Sequence, residues 1–79
     1  RALDALRIGS VQRLASLCGL PRTATVDDVI AAVASVTRAE AGGIRSLLVD
    51  TVPKNDRDLV AYSDALLTLE HDVARAIRP

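Results

Sequence analysis

The stretch Thr25-Val-Asp-Asp-Val-Ile-Ala-Ala-Val-Ala-Ser-Val-Thr37 decides between a helical and a mixed fold. It is rich in β-branched residues, which favour strands and are mediocre helix formers. Its apolar positions Val26, Val29, Ile30, Val33 and Val36 are nevertheless spaced by three and four rather than by two. That is the period of one helix face, and Ala31, Ala32 and Ala34 fill the intervals. Thr25 is a candidate N-cap with Asp28 three residues on, and Asp27 adds negative charge where the helix dipole favours it. The segment is therefore read as a helix, and helical readings extend to both of its flanks.

Upstream, Leu3, Leu6, Val11, Leu14, Leu17 and Cys18 predict a helix over about 2–18, with Arg7, Gln12 and Arg13 between them. Gly9 is its weak point, costing about 1 kcal/mol against Ala, so the helix is allowed to begin after it. Gly19-Leu20-Pro21 is a stop signal, because Gly takes the left-handed cap conformation and Pro cannot continue a helix. Downstream, Ala41, Ile44, Leu47 and Leu48 predict a short third helix over about 39–49. Gly42-Gly43 costs backbone entropy, so this element is expected to be the least stable or to begin late. Thr51-Val-Pro-Lys-Asn-Asp56 reads as a loop, with Asn55 or Asp56 placed to cap the next helix. Leu59, Tyr62, Leu66, Leu69, Val73 and Ile77 then mark the longest helix, about 56–77, with Asp58, Asp64, Glu70 and Arg75 assigned to its other faces. The fold class is all-α: a small bundle of four helices with short loops, in which the second and third are close enough to cross like a helix-turn-helix.

The 79 residues make one domain over 1–79. Because the chain begins with Arg1, it is read as a piece of a longer one. There is no Phe, Trp or Met, and only one each of Tyr, His, Cys and Lys. Stability must come from many aliphatic side chains, each contributing roughly 1.5–3 kcal/mol when fully buried. Ten basic and ten acidic residues cancel, so no general attraction to nucleic acid or anionic lipid is expected.

Catalysis has little to draw on. His71 is the sole histidine, and a catalytic reading would pair it with Cys18 or with Ser63 on the same helix. It lies between Glu70 and Asp72 on a polar stretch, as a solvated surface residue does. Cys18 falls on the apolar side of its helix, where cysteine packs as a small hydrophobe. One Cys and one His cannot furnish a zinc tetrad, and Asp56 with Asp58 is better read as helix capping than as part of a calcium loop. Gly42-Gly43 matches no phosphate-binding motif. Tyr62 is placed in the apolar stripe, with its hydroxyl reaching water or a partner. A helix-turn-helix DNA reader would have only Arg38, Arg45 and Ser46 on its third helix, opposed by Glu40 and Asp50. No catalytic residue, metal or cofactor is assigned.

Arg13-Leu-Ala-Ser-Leu-Cys-Gly-Leu-Pro21, Val26-Asp-Asp-Val-Ile-Ala-Ala-Val-Ala34, Leu47-Leu48, Pro53-Lys-Asn-Asp56, Leu59-Val60 and Leu66-Leu-Thr-Leu-Glu70 together span nearly the whole chain. This pattern resembles the C-terminal region of actinobacterial, notably mycobacterial, membrane proteins of unknown function encoded beside MoxR-type AAA+ ATPases. Gly42-Gly43 departs from the more helix-friendly residues of that pattern. The resemblance implies a soluble domain of a membrane protein on the cytoplasmic side of the cell membrane. Its implied partners are a MoxR-type ATPase or a neighbouring membrane component, and it carries over no catalytic residues.

Residues and resemblance together lead to the expectation of a non-catalytic protein-interaction or assembly module. Its contact surfaces are the loop 51–56, the glycine-marked third helix and the outer side of the last helix, with Pro53, Lys54 and Arg57 as candidate contacts. An uncovered apolar edge would permit a homodimer. The alternatives are a helix-turn-helix-like nucleic-acid-binding domain and a purely structural domain of the parent protein.

Overall fold

A computed structural model describes residues 2–78. Among them there are helices and no strands: α1 (Ala2–Leu17), α2 (Val26–Thr37), α3 (Ala41–Arg45) and α4 (Asp56–Ile77). A π-helical turn, Ser46–Asp50, continues α3 without a break. The protein is a small all-α bundle. No described helix is long and apolar enough to cross a membrane.

Local chemistry sets the helix ends. Gly19, at φ +70°, closes α1. Leu20 N–H donates to Ala15 O at 2.9 Å and Gly19 N–H to Ser16 O at 3.1 Å, the paired bonds of a glycine-capped C-terminus. α1 runs unbroken through Gly9, because a single glycine is too small a penalty to end a helix whose flanking turns are packed. Thr25 caps α2 as a full capping box: its hydroxyl accepts from Asp28 N–H at 3.1 Å, and the Asp28 carboxylate accepts from Thr25 N–H at 2.9 Å. The C-terminal cap of α2 has no glycine to announce it. The helix is closed by Arg38 at φ 60°, a left-handed conformation that costs a residue with a Cβ more than it costs glycine.

The third helix begins two residues later than the expected start at 39 and changes type halfway. Its N-cap, Glu40, makes no side-chain capping bond. At its far end Thr51 N–H donates to Ser46 O at 2.8 Å, and the Thr51 hydroxyl donates to the same oxygen at 2.7 Å. That bond spans five residues rather than four, which is what widens the turn. α4 matches its predicted span, and Asn55 caps it by accepting from Asp58 N–H at 2.8 Å.

Leu14, Val29, Ile30, Val33, Ile44, Leu48, Tyr62, Leu66 and Val73 form the core. Every helix and the π turn contribute to it. Leu17, Val26 and Ile77, expected on buried faces, are exposed. Each stands within one residue of a helix end, where the bundle no longer has a neighbour to cover it. One further correction concerns Glu70, and it involves a residue to which no place was assigned. Ser10 is wholly buried, and Glu70, expected on an outer face of α4, turns inward to meet it.

Candidate interaction groove

The contact between α1 and α4 is a seam of polar groups set into an aliphatic core. Ser10 Oγ donates to Glu70 Oε2 at 3.0 Å. Arg13 joins the same carboxylate through Nε to Oε1, and through Nη2 to Oε2 at 3.2 Å. This is a forked guanidinium–carboxylate pair. The Glu70 side chain is 11% exposed and that of Arg13 56%, so the buried end carries the energetic weight. The Glu70 hydrogen bond holds the Arg13 guanidinium proton above its ordinary affinity.

One turn earlier on α1, Arg7 Nε donates to the Tyr62 hydroxyl at 3.0 Å, and its guanidinium carbon lies 5.6 Å from the ring centroid. That distance suits a cation–π contact. The Tyr62 hydroxyl in turn donates to Leu47 O at 2.7 Å, linking α1, α4 and the π turn in one chain. Arg7 Nη2 is buried and has no hydrogen-bond acceptor.

Arg7 also belongs to the wall of a groove of about 430 Å³. The α1 wall is Asp4, Arg7, Ile8, Val11 and Gln12; the facing wall is Val26 at the start of α2 with Leu48 and Val49 of the π turn. Three of these side chains remain substantially exposed: Ile8 at 57%, Val26 at 41% and Val49 at 40%. They come from three different elements and converge on one depression, whose polar residues all lie on α1. Two other depressions, of about 570 and 720 Å³, are larger but mix in more polar lining: Arg38, Asp72 and Arg75 in the first, Gln12, Ser16 and Arg22 in the second.

The residues singled out in the sequence are not brought together. His71 is exposed, and no hydrogen bond joins it to Cys18 or Ser63, both of which are half-buried. Burial pushes the Cys18 thiol up, which favours the uncharged form and opposes nucleophilic use. Asp58 is occupied with capping, its carboxylate accepting from Lys54 N–H at 3.4 Å. Among the described residues no three His, Cys, Asp or Glu side chains gather as a metal-ligand set. Arg45 pairs with Asp27 of α2, so it is already engaged at the α2–α3 junction. Pro53 is half-buried, while Lys54 and Arg57 are exposed at the entry to α4, and none of the three lines the groove.

Sequence reading missed Arg7, Ser10, Ile8 and Glu70. The signal for three of them was position: Arg7 and Ser10 stand seven and four residues before Leu14, and Glu70 stands four after Leu66. All three therefore sit on the apolar stripes of their helices, where a polar residue must find a partner. No protein-family model, curated protein or solved structure matches this chain.

Proposed function

We propose that this domain is a non-catalytic protein-interaction module, and that its contact surface is the groove between α1, the start of α2 and the π turn. The reading is supported above all by the convergence of Ile8, Val26 and Val49 from separate elements onto one apolar depression. Single exposed aliphatic residues are ordinary on a protein surface, whereas a shared concave patch is the usual form of a recognition site. An amphipathic helix laying its aliphatic anchors into the groove, with polar residues toward Asp4, Arg7 and Gln12, fits its chemistry. Pro53, Lys54 and Arg57 would serve as a secondary contact at the entry to α4.

The resemblance to membrane proteins encoded beside MoxR-type ATPases supplies the partner to try first. In that setting the domain would stand on the cytoplasmic side of the membrane and engage the ATPase or a neighbouring membrane component. The test is capture of the purified ATPase, and of lysate proteins, by the wild-type domain and by Ile8→Glu and Val49→Asp, at low and high salt. Both positions are exposed, so the variants keep their fold, checked by circular dichroism and melting. The expected result is salt-resistant capture that both variants lose. Recovery of nucleic acid alone, lost at high salt, would transfer the assignment to the helix-turn-helix alternative. No binding by any form would leave a structural role in the parent protein.

A further inference from the structure

We infer that α3 and the π turn form a hinged arm that opens as a unit while α1, α2 and α4 stay packed, and that this opening takes the groove apart. Three features of the arm point the same way. Its N-cap, Glu40, provides no side-chain bond to the first helical amides, and the first available backbone bond, Ile44 N–H to Glu40 O, is long at 3.3 Å. Gly42 and Gly43 lie in helical backbone with negative φ, and a Cβ added at either would meet nothing within 4 Å. No turn, cap or close packing requires glycine there, so both residues weaken the helix with no compensating contact. The second half is π-helical, a geometry rarely sustained and found mostly as short functional interruptions. The arm is fastened by the buried Ile44 and Leu48, by Leu47, whose side chain packs half-buried on the core while its carbonyl accepts the Tyr62 hydroxyl, and by the exposed Arg45–Asp27 pair.

Regions with weak backbone order open below the free energy of global unfolding. Leu48 and Val49 are most of the wall facing α1, so an open arm leaves Ile8 and Val11 faced by Val26 alone. Closed and open states therefore differ in whether the groove exists. The inference about opening does not depend on what the groove binds.

Residue-resolved native-state hydrogen exchange in sub-denaturing urea tests it. The reporters are the Ser46 amide, which donates to Gly42 and Gly43 carbonyls, and the Thr51 amide, against Leu66 and Val73 in α4. The arm amides should exchange faster and with a weaker urea dependence, because less surface is exposed in a partial opening. Gly42→Ala and Gly43→Ala should each slow arm exchange about fivefold. Ser10→Ala, which loosens the α1–α4 seam, should speed exchange at Leu66 and Val73 and leave the arm amides unchanged. A common urea dependence for all four amides, with Ser10→Ala accelerating them alike, would show that the arm opens only when the whole domain unfolds and would overturn the inference.

Discussion

Where α1 meets α4, the join is made of directional bonds: Ser10 and Arg13 to one carboxylate, Arg7 to one hydroxyl. Where the arm meets the rest of the bundle, it is made mainly of aliphatic side chains, Ile44 and Leu48 with half-buried Leu47, beside the bond to Leu47 O and the exposed Arg45–Asp27 pair. Aliphatic burial is non-directional and tolerates sliding. A buried hydroxyl or carboxylate does not, because any shift leaves it unsatisfied at a cost of about 1–3 kcal/mol. The seam thus sets the register of the two longest helices, and the arm is free to be softer. The groove lies between the two regimes, with one wall on rigid α1 and the other partly on the arm.

The largest effect that would sharpen this contrast is expected at Glu70. Glu70→Ala strands the wholly buried Ser10 hydroxyl and releases Arg13, and should cost about 2–3 kcal/mol in urea unfolding. Glu70→Gln, which keeps an acceptor for Ser10, should cost clearly less. Equal losses in the two variants would mean that the ion pair with exposed Arg13, rather than the bond to Ser10, carries the seam.

Next is Tyr62→Phe. The ring stays in the core, but Arg7 Nε loses its acceptor and Leu47 O its donor. The expected cost is about 1–2 kcal/mol. Among the described residues the hydroxyl is also the one hydrogen bond tying the arm to the seam, and opening the arm alone breaks that bond but not the one to Arg7, so exchange at Thr51 should accelerate less than exchange at Val73, which reports the loss of both. Uniform acceleration would erase the distinction between the two regions.

How these regions relate to the sequence depends on what periodicity encodes. The three-and-four spacing of Val26, Val29, Ile30 and Val33 reports a helix face whatever the residues' strand preference, and α2 forms as expected. The same holds for Thr25 and Gly19, whose capping chemistry is local and needs no tertiary information. Ser10 and Glu70 are different. Each stands on an apolar stripe, but the partner that makes burial tolerable is 60 positions away, and no local rule pairs them. The groove was legible only in part. Val49 falls within the third helix, itself an expected contact surface, whereas Ile8 looks like an isolated exposed residue until α1, α2 and the π turn are placed together. The π turn leaves no local trace, because it depends on two donors from Thr51 converging on one carbonyl.

The glycines offer a smaller test of the same contrast. Gly42→Ala should stabilise the domain by about 1 kcal/mol, since the added methyl meets open space. Gly9 is also helical, but its added Cβ would stand 3.2 Å from Arg13 Nη1, so the Arg13 side chain must give way. Gly9→Ala should therefore gain only about half as much, roughly 0.5 kcal/mol, and should weaken the Arg13–Glu70 pair. If Gly9→Ala gains as much as Gly42→Ala, Arg13 is not held in place by the seam.

The smallest effect belongs to Cys18, immediately after α1. Its thiol is half-buried, and desolvation raises the folded-state pKa above the unfolded one. Between the two values the native state holds more proton than the unfolded chain, so stability falls as pH rises. Below the ordinary thiol range, about 8.5, both states are protonated and the full stability is present. Above it the stability drains away until the folded thiol also ionises. The difference in unfolding free energy between wild type and Cys18→Ala should thus be constant from pH 6 to about 8 and shift in favour of the variant as pH rises to about 10. A flat difference across that range would mean that the folded thiol is as well solvated as the unfolded one, and that α1 frays at its last turn rather than staying docked on the core.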